Sequence, residues 1–262
     1  MNAHSRNPIL AAMSHSLVLV LALFAGACAG SDPVAPGPEG EQLAVLMIGN
    51  SLTYENELPD LLFYLLDDLQ EQDVYIESVA FPNFGLPDHW EQGAAVDRIQ
   101  RGGWDIVVLQ QGPSATEGRP YLLEYSEIFA EEIRAVGADP ALFMVWPAKS
   151  RFFDFDGVSD SYATAAELVD GYLFPAGEGW RAGWTRDPEL PFYDLDGFHP
   201  SILGSYMAAL VMAQQITGGD LTTLDPVIKS PVGTLQLGQE LADLLHASAH
   251  EANALFGRRP TS

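Results

Sequence analysis

A serine, a histidine and an aspartate stand where an acyl-transfer site would need them. Ser51 directly follows the apolar run Val45 to Ile48 and the turn residues Gly49-Asn50, while Asp196-Gly197-Phe198-His199-Pro200 lies near the other end of the chain. A serine hydroxyl is a weak nucleophile until a base removes its proton. Histidine is the usual base, and a carboxylate fixes its tautomer and stabilises the imidazolium. Ser51, His199 and Asp196 supply all three groups, with Asp194 as a competing carboxylate. The run ending in Gly49-Asn50-Ser51 predicts a buried parallel strand that stops in a tight turn. Ser51 is thereby lifted to the carboxyl edge of a sheet, where open α/β sheets place their chemistry.

The elements that must position these residues follow from periodicity. Short apolar runs alternate with longer amphipathic ones: strands over 43–48, 74–80, 106–109 and 141–145, and helices over 58–70, 90–101, 121–136 and 162–172. Such repetition predicts an α/β fold, a three-layer α/β/α sandwich around a central parallel sheet. Between residues 173 and 193 the glycines Gly177, Gly179 and Gly183 with Pro188 and Pro191 predict an irregular stretch. Helices over 202–217, ended by Gly218-Gly219, and over 237–255 complete one domain spanning 43–262.

What precedes that domain reads differently. Arg6, the apolar run Leu17 to Ala27 and small residues before Cys28, the only cysteine, read as a secretory signal over 1–27. The run is too short to span a bilayer as a helix. Ala25-Gly26-Ala27-Cys28 resembles the lipobox of bacterial lipoproteins, which implies lipidation of Cys28 and anchoring in the cell envelope; ordinary secretion is the alternative. Residues 28–42, rich in Pro, Gly and acids, read as a tether. A formal net charge of −24, from 36 acidic against 12 basic residues, argues against nucleic-acid partners.

From Leu43 to Gly218 the chain resembles the SGNH, or GDSL-like, hydrolase superfamily. The resemblance rests on Gly49-Asn50-Ser51-Leu52-Thr53, on Gly85 within Phe81 to Trp90, on Gln111-Gly112-Pro113-Ser114, and on Asp196 to Ser201 with the helix that follows. It implies a flavodoxin-like α/β/α fold and serine hydrolysis of esters, with no metal or organic cofactor. It further implies an oxyanion hole built from the N–H groups of Ser51 and Gly85 and a third donor. The family's asparagine donor is replaced by Ser114. Gln111-Gly112-Pro113-Ser114 is similar to a segment of the carbohydrate O-acetylesterases in which a glutamine amide serves, so Gln111 is the candidate and Gln110 its competitor.

Other candidates read as structural. His89 and Trp90 pack or cap a helix start; Asp154, Asp156 and Asp160 form a solvated acidic loop whose spacing fails the EF-hand pattern; His246 and His250 are exposed, without the intervening glutamate of a zinc helix. The expectation is a serine esterase acting on short acyl esters, above all O-acetyl groups of carbohydrates, with membrane contact only through the lipid anchor. A catalytically silent surface-binding protein of the same fold, and a lipase or thioesterase, are the rivals.

Overall fold

The computed structural model describes residue 38 and residues 40–261, so the residues read as a signal, Cys28 and most of those read as a tether lie outside the described residues. The chain enters through β1 (Leu43–Gly49), whose residues from Ala44 onward are buried, and turns at once into α1 (Ser51–Tyr54) and α2 (Leu58–Leu69). β2 (Val74–Ala80), α3 (Leu86–Gln92), α4 (Ala94–Gln100) and β3 (Ile106–Leu109) follow. Then come α5 (Arg119–Ala135), β4 (Asp139–Phe143), α6 (Phe155–Leu168) and β5 (Tyr172–Phe174). The last part is α7 (Ala176–Arg186), α8 (Ile202–Thr217), a hairpin of β6 (Val227–Ser230) and β7 (Gly233–Gln236), and α9 (Gln239–Phe256).

β1 to β5 form a parallel sheet in the order β2-β1-β3-β4-β5. Right-handed crossovers in that order put α2 on one face and α3 to α6 on the other. The packing agrees: α2, α7, α8 and α9 contact one another, as do α3, α4, α5 and α6. The result is a three-layer α/β/α sandwich of the flavodoxin-like kind. Its strand order reverses between β1 and β3, and ligand crevices form at such switch points, outside the carboxyl ends of the strands.

Several elements differ from the sequence expectation, among them α6, which spans Phe155–Leu168 where a helix over 162–172 is expected. The segment read as irregular contains β5 and α7, because its glycines are points of close approach. A Cβ on Gly179 would stand 2.9 Å from Val211 Cγ2, and one on Gly183 2.7 Å from the Phe192 ring. Helix packing therefore outweighs the low helix propensity of glycine. The helix expected over 90–101 is two helices, broken where Gly93 takes φ +85°. The β6–β7 hairpin lies in a stretch to which no element was assigned.

At the switch point the backbone is tightly constrained. A Cβ on Gly49 would stand 2.3 Å from Thr53 Oγ1 and 2.4 Å from Gln110 Oε1, and both of those atoms are buried and hydrogen-bonded to one another. Gly49→Ala is expected to destabilise the protein by ~1–3 kcal/mol through overpacking. A shift in the urea midpoint would measure it, and an unchanged midpoint would show that the turn can relax.

Candidate active site

Ser51 is the first residue of α1, directly after the sheet edge. Asn50 caps that helix: its Oδ1 accepts from Leu52 N–H at 3.1 Å, and its Nδ2 donates to the Phe84 carbonyl at 2.9 Å. The second bond needs an amide, since an ionised carboxylate only accepts. The Asn50 N–H donates to Gln110 Oε1 at 2.8 Å. Behind the turn, buried His89 donates from Nε2 to the Gly49 carbonyl at 2.7 Å, packed against Phe81 and Phe84. Burial lowers its pKa, and it serves as a neutral packing residue.

The second half of the site is the loop between α7 and α8. Asp194 N–H donates to the His199 carbonyl at 2.8 Å, Gly197 N–H to the Asp194 carbonyl at 3.0 Å, and Gly197 turns the chain at φ +69°. From outside the loop, Lys149 N–H donates to the Gly197 carbonyl at 2.7 Å and Trp146 Nε1 to the Phe198 carbonyl at 3.0 Å. Within it, Asp196 Oδ1 accepts from the N–H groups of Phe198 at 2.8 Å and His199 at 2.9 Å.

These supports bring three side chains into line. Asp196 Oδ2 lies 2.6 Å from His199 Nδ1, and His199 Nε2 lies 2.9 Å from Ser51 Oγ. An ionised carboxylate can only accept, so Nδ1 carries the proton and Nε2 is left to accept from the serine hydroxyl. The bond from the His199 ring, reinforced by the Phe198 N–H, holds the Asp196 carboxyl below its ordinary pKa. Asp194 does not reach the ring; its Oδ1 accepts from Leu195 N–H at 2.8 Å.

The expected oxyanion donors fare unequally. Ser51 N–H, in the first turn of α1, lies where a helix leaves its amides without an intrahelical acceptor. The Gly85 N–H does not stand free: it donates to Asp88 Oδ2 at 2.7 Å at the start of α3, which corrects its expected role. What Gly85 supplies is room, since a Cβ there would stand 2.9 Å from Gln111 Nε2. Gln111 Oε1 accepts from Leu86 N–H at 2.6 Å, leaving Nε2 as its available donor. The Gln110 amide is consumed internally: Oε1 accepts from Asn50 N–H and Thr53 Oγ1, each at 2.8 Å, and Nε2 donates to the Gln111 carbonyl at 2.6 Å. Ser114, at φ +60°, donates to the Gly112 carbonyl at 2.7 Å. Buried Tyr162 clamps the same strand end, its hydroxyl 2.5 Å from the Gln111 carbonyl and its phenol pKa raised by burial.

No protein-family model and no curated protein matches the chain. Solved structures do. A protein from Slackia heliotrinireducens, proposed as an SGNH hydrolase, is 26% identical over 66% of this chain and 98% of its own, with a TM-score of 0.57. A DUF4886 family protein from Bacteroides uniformis reaches a TM-score of 0.65 at 16% identity, over 82% of this chain and 96% of its own. An acetylxylan esterase from Geobacillus stearothermophilus, crystallised as a catalytic mutant, gives 0.50 at 14% identity, over 67% of this chain and 95% of its own.

The fold is that of the SGNH hydrolases. Two cavities flank the Asp196–His199 loop on this SGNH scaffold. One, of about 330 Å³, is lined by Gln111, Gly112, Ser114, Pro147, Arg151 and Phe198. The other, of about 920 Å³, is lined among others by Lys149, Phe152, Trp184, Tyr193, Asp194 and Gly197.

The remaining candidates lie elsewhere. Asp156 and Asp160 belong to α6 rather than a loop, and Asp154, Asp156 and Asp160 pair with Arg151, Arg181 and Arg119. His246 is buried on α9, contrary to expectation, because this face of α9 packs against α8; His250 Nδ1 meets Gln214 Nε2 at 3.1 Å. Among the described residues no three His, Cys, Asp or Glu side chains are grouped to hold a metal ion.

The glutamine pair yields a clean contrast. Gln111→Ala is expected to lower kcat roughly 10²–10³-fold with little change in KM and a smaller loss of stability than Gln110→Ala, since only the Leu86 N–H loses a partner. Gln110→Ala strips partners from buried groups and should lower stability by about 1–3 kcal/mol. Kinetics with thermal melts on both variants check this; a stable, fully active Gln111→Ala protein would remove Gln111 from the oxyanion hole.

Proposed function

We propose that this protein is a serine ester hydrolase. The observation that carries the reading is the hydrogen-bonded line from Ser51 Oγ through the His199 ring to Asp196, at 2.9 and 2.6 Å. In the proposed reaction Ser51 Oγ attacks the ester carbonyl as His199 Nε2 takes the hydroxyl proton. The tetrahedral oxyanion is met by Ser51 N–H and Gln111 Nε2. Its collapse breaks the bond to the alkoxy oxygen, which receives the proton from Nε2, and leaves an acyl-serine. Water, deprotonated by the same nitrogen, then releases the acid and restores Ser51.

O-acetyl groups on carbohydrate are the proposed substrates. Support comes from the Gln111 segment, similar to that of carbohydrate O-acetylesterases, and from the likeness of the fold to an acetylxylan esterase. The proposed location is the bacterial cell envelope, with the chain held by lipid on Cys28; residues 1–28 support that part. The intact line of three side chains counts against the silent binding protein.

Ser51→Ala is expected to lower kcat on p-nitrophenyl acetate by roughly 10⁴–10⁶-fold while the fold melts as before. The bonds from the His199 ring and the Phe198 N–H hold the Asp196 carboxyl below its ordinary pKa, so the carboxylate that orients His199 is charged under assay conditions, and Asp196→Asn should lower kcat by disturbing the tautomer. Turnover surviving in Ser51→Ala, or full activity in a folded Asp196→Asn protein, would refute the assignment.

A further inference from the structure

In the proposed reaction His199 Nε2 returns its proton to the alkoxy oxygen of the ester. That oxygen must therefore lie against Nε2, beside the 194–199 loop that carries His199. The cavity of about 920 Å³ begins on the same loop, at Asp194 and Gly197; its lining, like that of the smaller cavity, includes neither Ser51 nor His199, so it is an alcohol part long enough to pass the loop that would reach it. Its size is near the upper end of the roughly 300–1,000 Å³ typical of ligand sites, far more than a small alcohol fills.

Its wall is aromatic and fixed. Trp184 Nε1 donates to the Leu190 carbonyl at 3.0 Å, and the Trp184 ring stacks on Tyr193 with centroids 5.6 Å apart at 27°. The Tyr193 hydroxyl donates in turn to the Pro147 carbonyl at 2.6 Å. Phe152, half exposed, lies 5.6 Å from Trp184. The same cavity is lined by Lys149, Glu189 and Asp194, which offer one ammonium donor and two carboxylate acceptors. Aromatic faces suit the C–H face of a sugar ring, and such acceptors suit its hydroxyl edge. A fatty chain would use only the wall, and a polyanion would meet two carboxylates on a chain of net charge −24.

We propose that this groove is an extended subsite for the alcohol part of the ester, an uncharged oligosaccharide chain, with Phe152, Trp184 and Tyr193 as its stacking wall. This rests on the hydrolase reading and adds to it where specificity lies: in the alcohol, on the Trp184 side.

The test uses Ser51→Ala protein titrated with unmodified xylo-oligosaccharides of increasing length, followed by tryptophan fluorescence. Alongside it, wild-type turnover is measured on acetylated xylo-oligosaccharides and on p-nitrophenyl acetate and octanoate. Affinity and kcat/KM are expected to rise about tenfold from mono- to tetrasaccharide, a gain of the size one well-placed aromatic contact supplies. Trp184→Ala should abolish that gain, and Trp184→Phe should restore most of it. Phe152→Ala, at a half-exposed position, should reduce it even if Trp184→Ala fails to fold. An unaltered length dependence in Trp184→Ala and Phe152→Ala would overturn the proposal. So would a wild-type enzyme that gains nothing from sugar length but prefers octanoate, which would give the groove to an acyl chain. Absence of p-nitrophenyl acetate turnover alongside Trp184-dependent oligosaccharide binding would sink the hydrolase reading and leave the carbohydrate groove standing.

Discussion

The buried amide of Gln110 ties the carboxyl ends of β1 and β3 together, and the geometry of the site descends from that tie. Its Oε1 takes the Asn50 N–H and the Thr53 hydroxyl, so the turn after β1 is locked in the orientation that places Ser51 at the helix start. Its Nε2 holds the Gln111 carbonyl, which orients the neighbouring side chain over Gly85. Each bond is worth only about 1 kcal/mol net, but leaving a buried partner unmet costs more, so the three act as a unit. Gly49 is what admits the amide, because any side chain there would occupy its place.

The His199 loop is held by a different device. Asp196 and His199 are only partly shielded from solvent, so the bond between their side chains adds little to stability. Orientation comes from the backbone: the N–H groups of Phe198 and His199 on the carboxylate, and Lys149 and Trp146 on the loop carbonyls. The bonds from the His199 ring and the Phe198 N–H keep the carboxylate ionised against a small desolvation cost, and the backbone bonds keep it aimed.

What was legible in the sequence was local. The apolar run closed by Gly49-Asn50-Ser51 and the short spacing from Asp196 to His199 can be read because each is one strand end or one loop. The alternation of strands and helices gave the parallel sheet for the same reason. What was not legible depends on partners far along the chain. Gly177, Gly179 and Gly183 look like helix breakers until the groups that pack onto them are known. Gly85 looks like an amide donor until Asp88 is seen to take its N–H. Alternation along a strand says that Gln110 and Gln111 point apart, but only the neighbours of β3 say which points inward. His246 gave no sign of burial, since a histidine pair on an acidic helix reads as polar.

The acidity of the chain bears on the proposed turnover as well as on solubility. Hydrolysis of a neutral ester produces a carboxylate, and the surface of a chain of net charge −24 repels that product more than the substrate it came from. Lys149 lies beside Glu189 and Asp194, so the larger groove offers no excess of positive charge to retain an anion. The binding proposed there draws on uncharged contacts, stacking and hydroxyl hydrogen bonds, which do not discriminate against the neutral alcohol once it is freed. Under the proposed reading, affinity for the alcohol part positions the ester for Ser51, while the net negative charge disfavours retention of the acid.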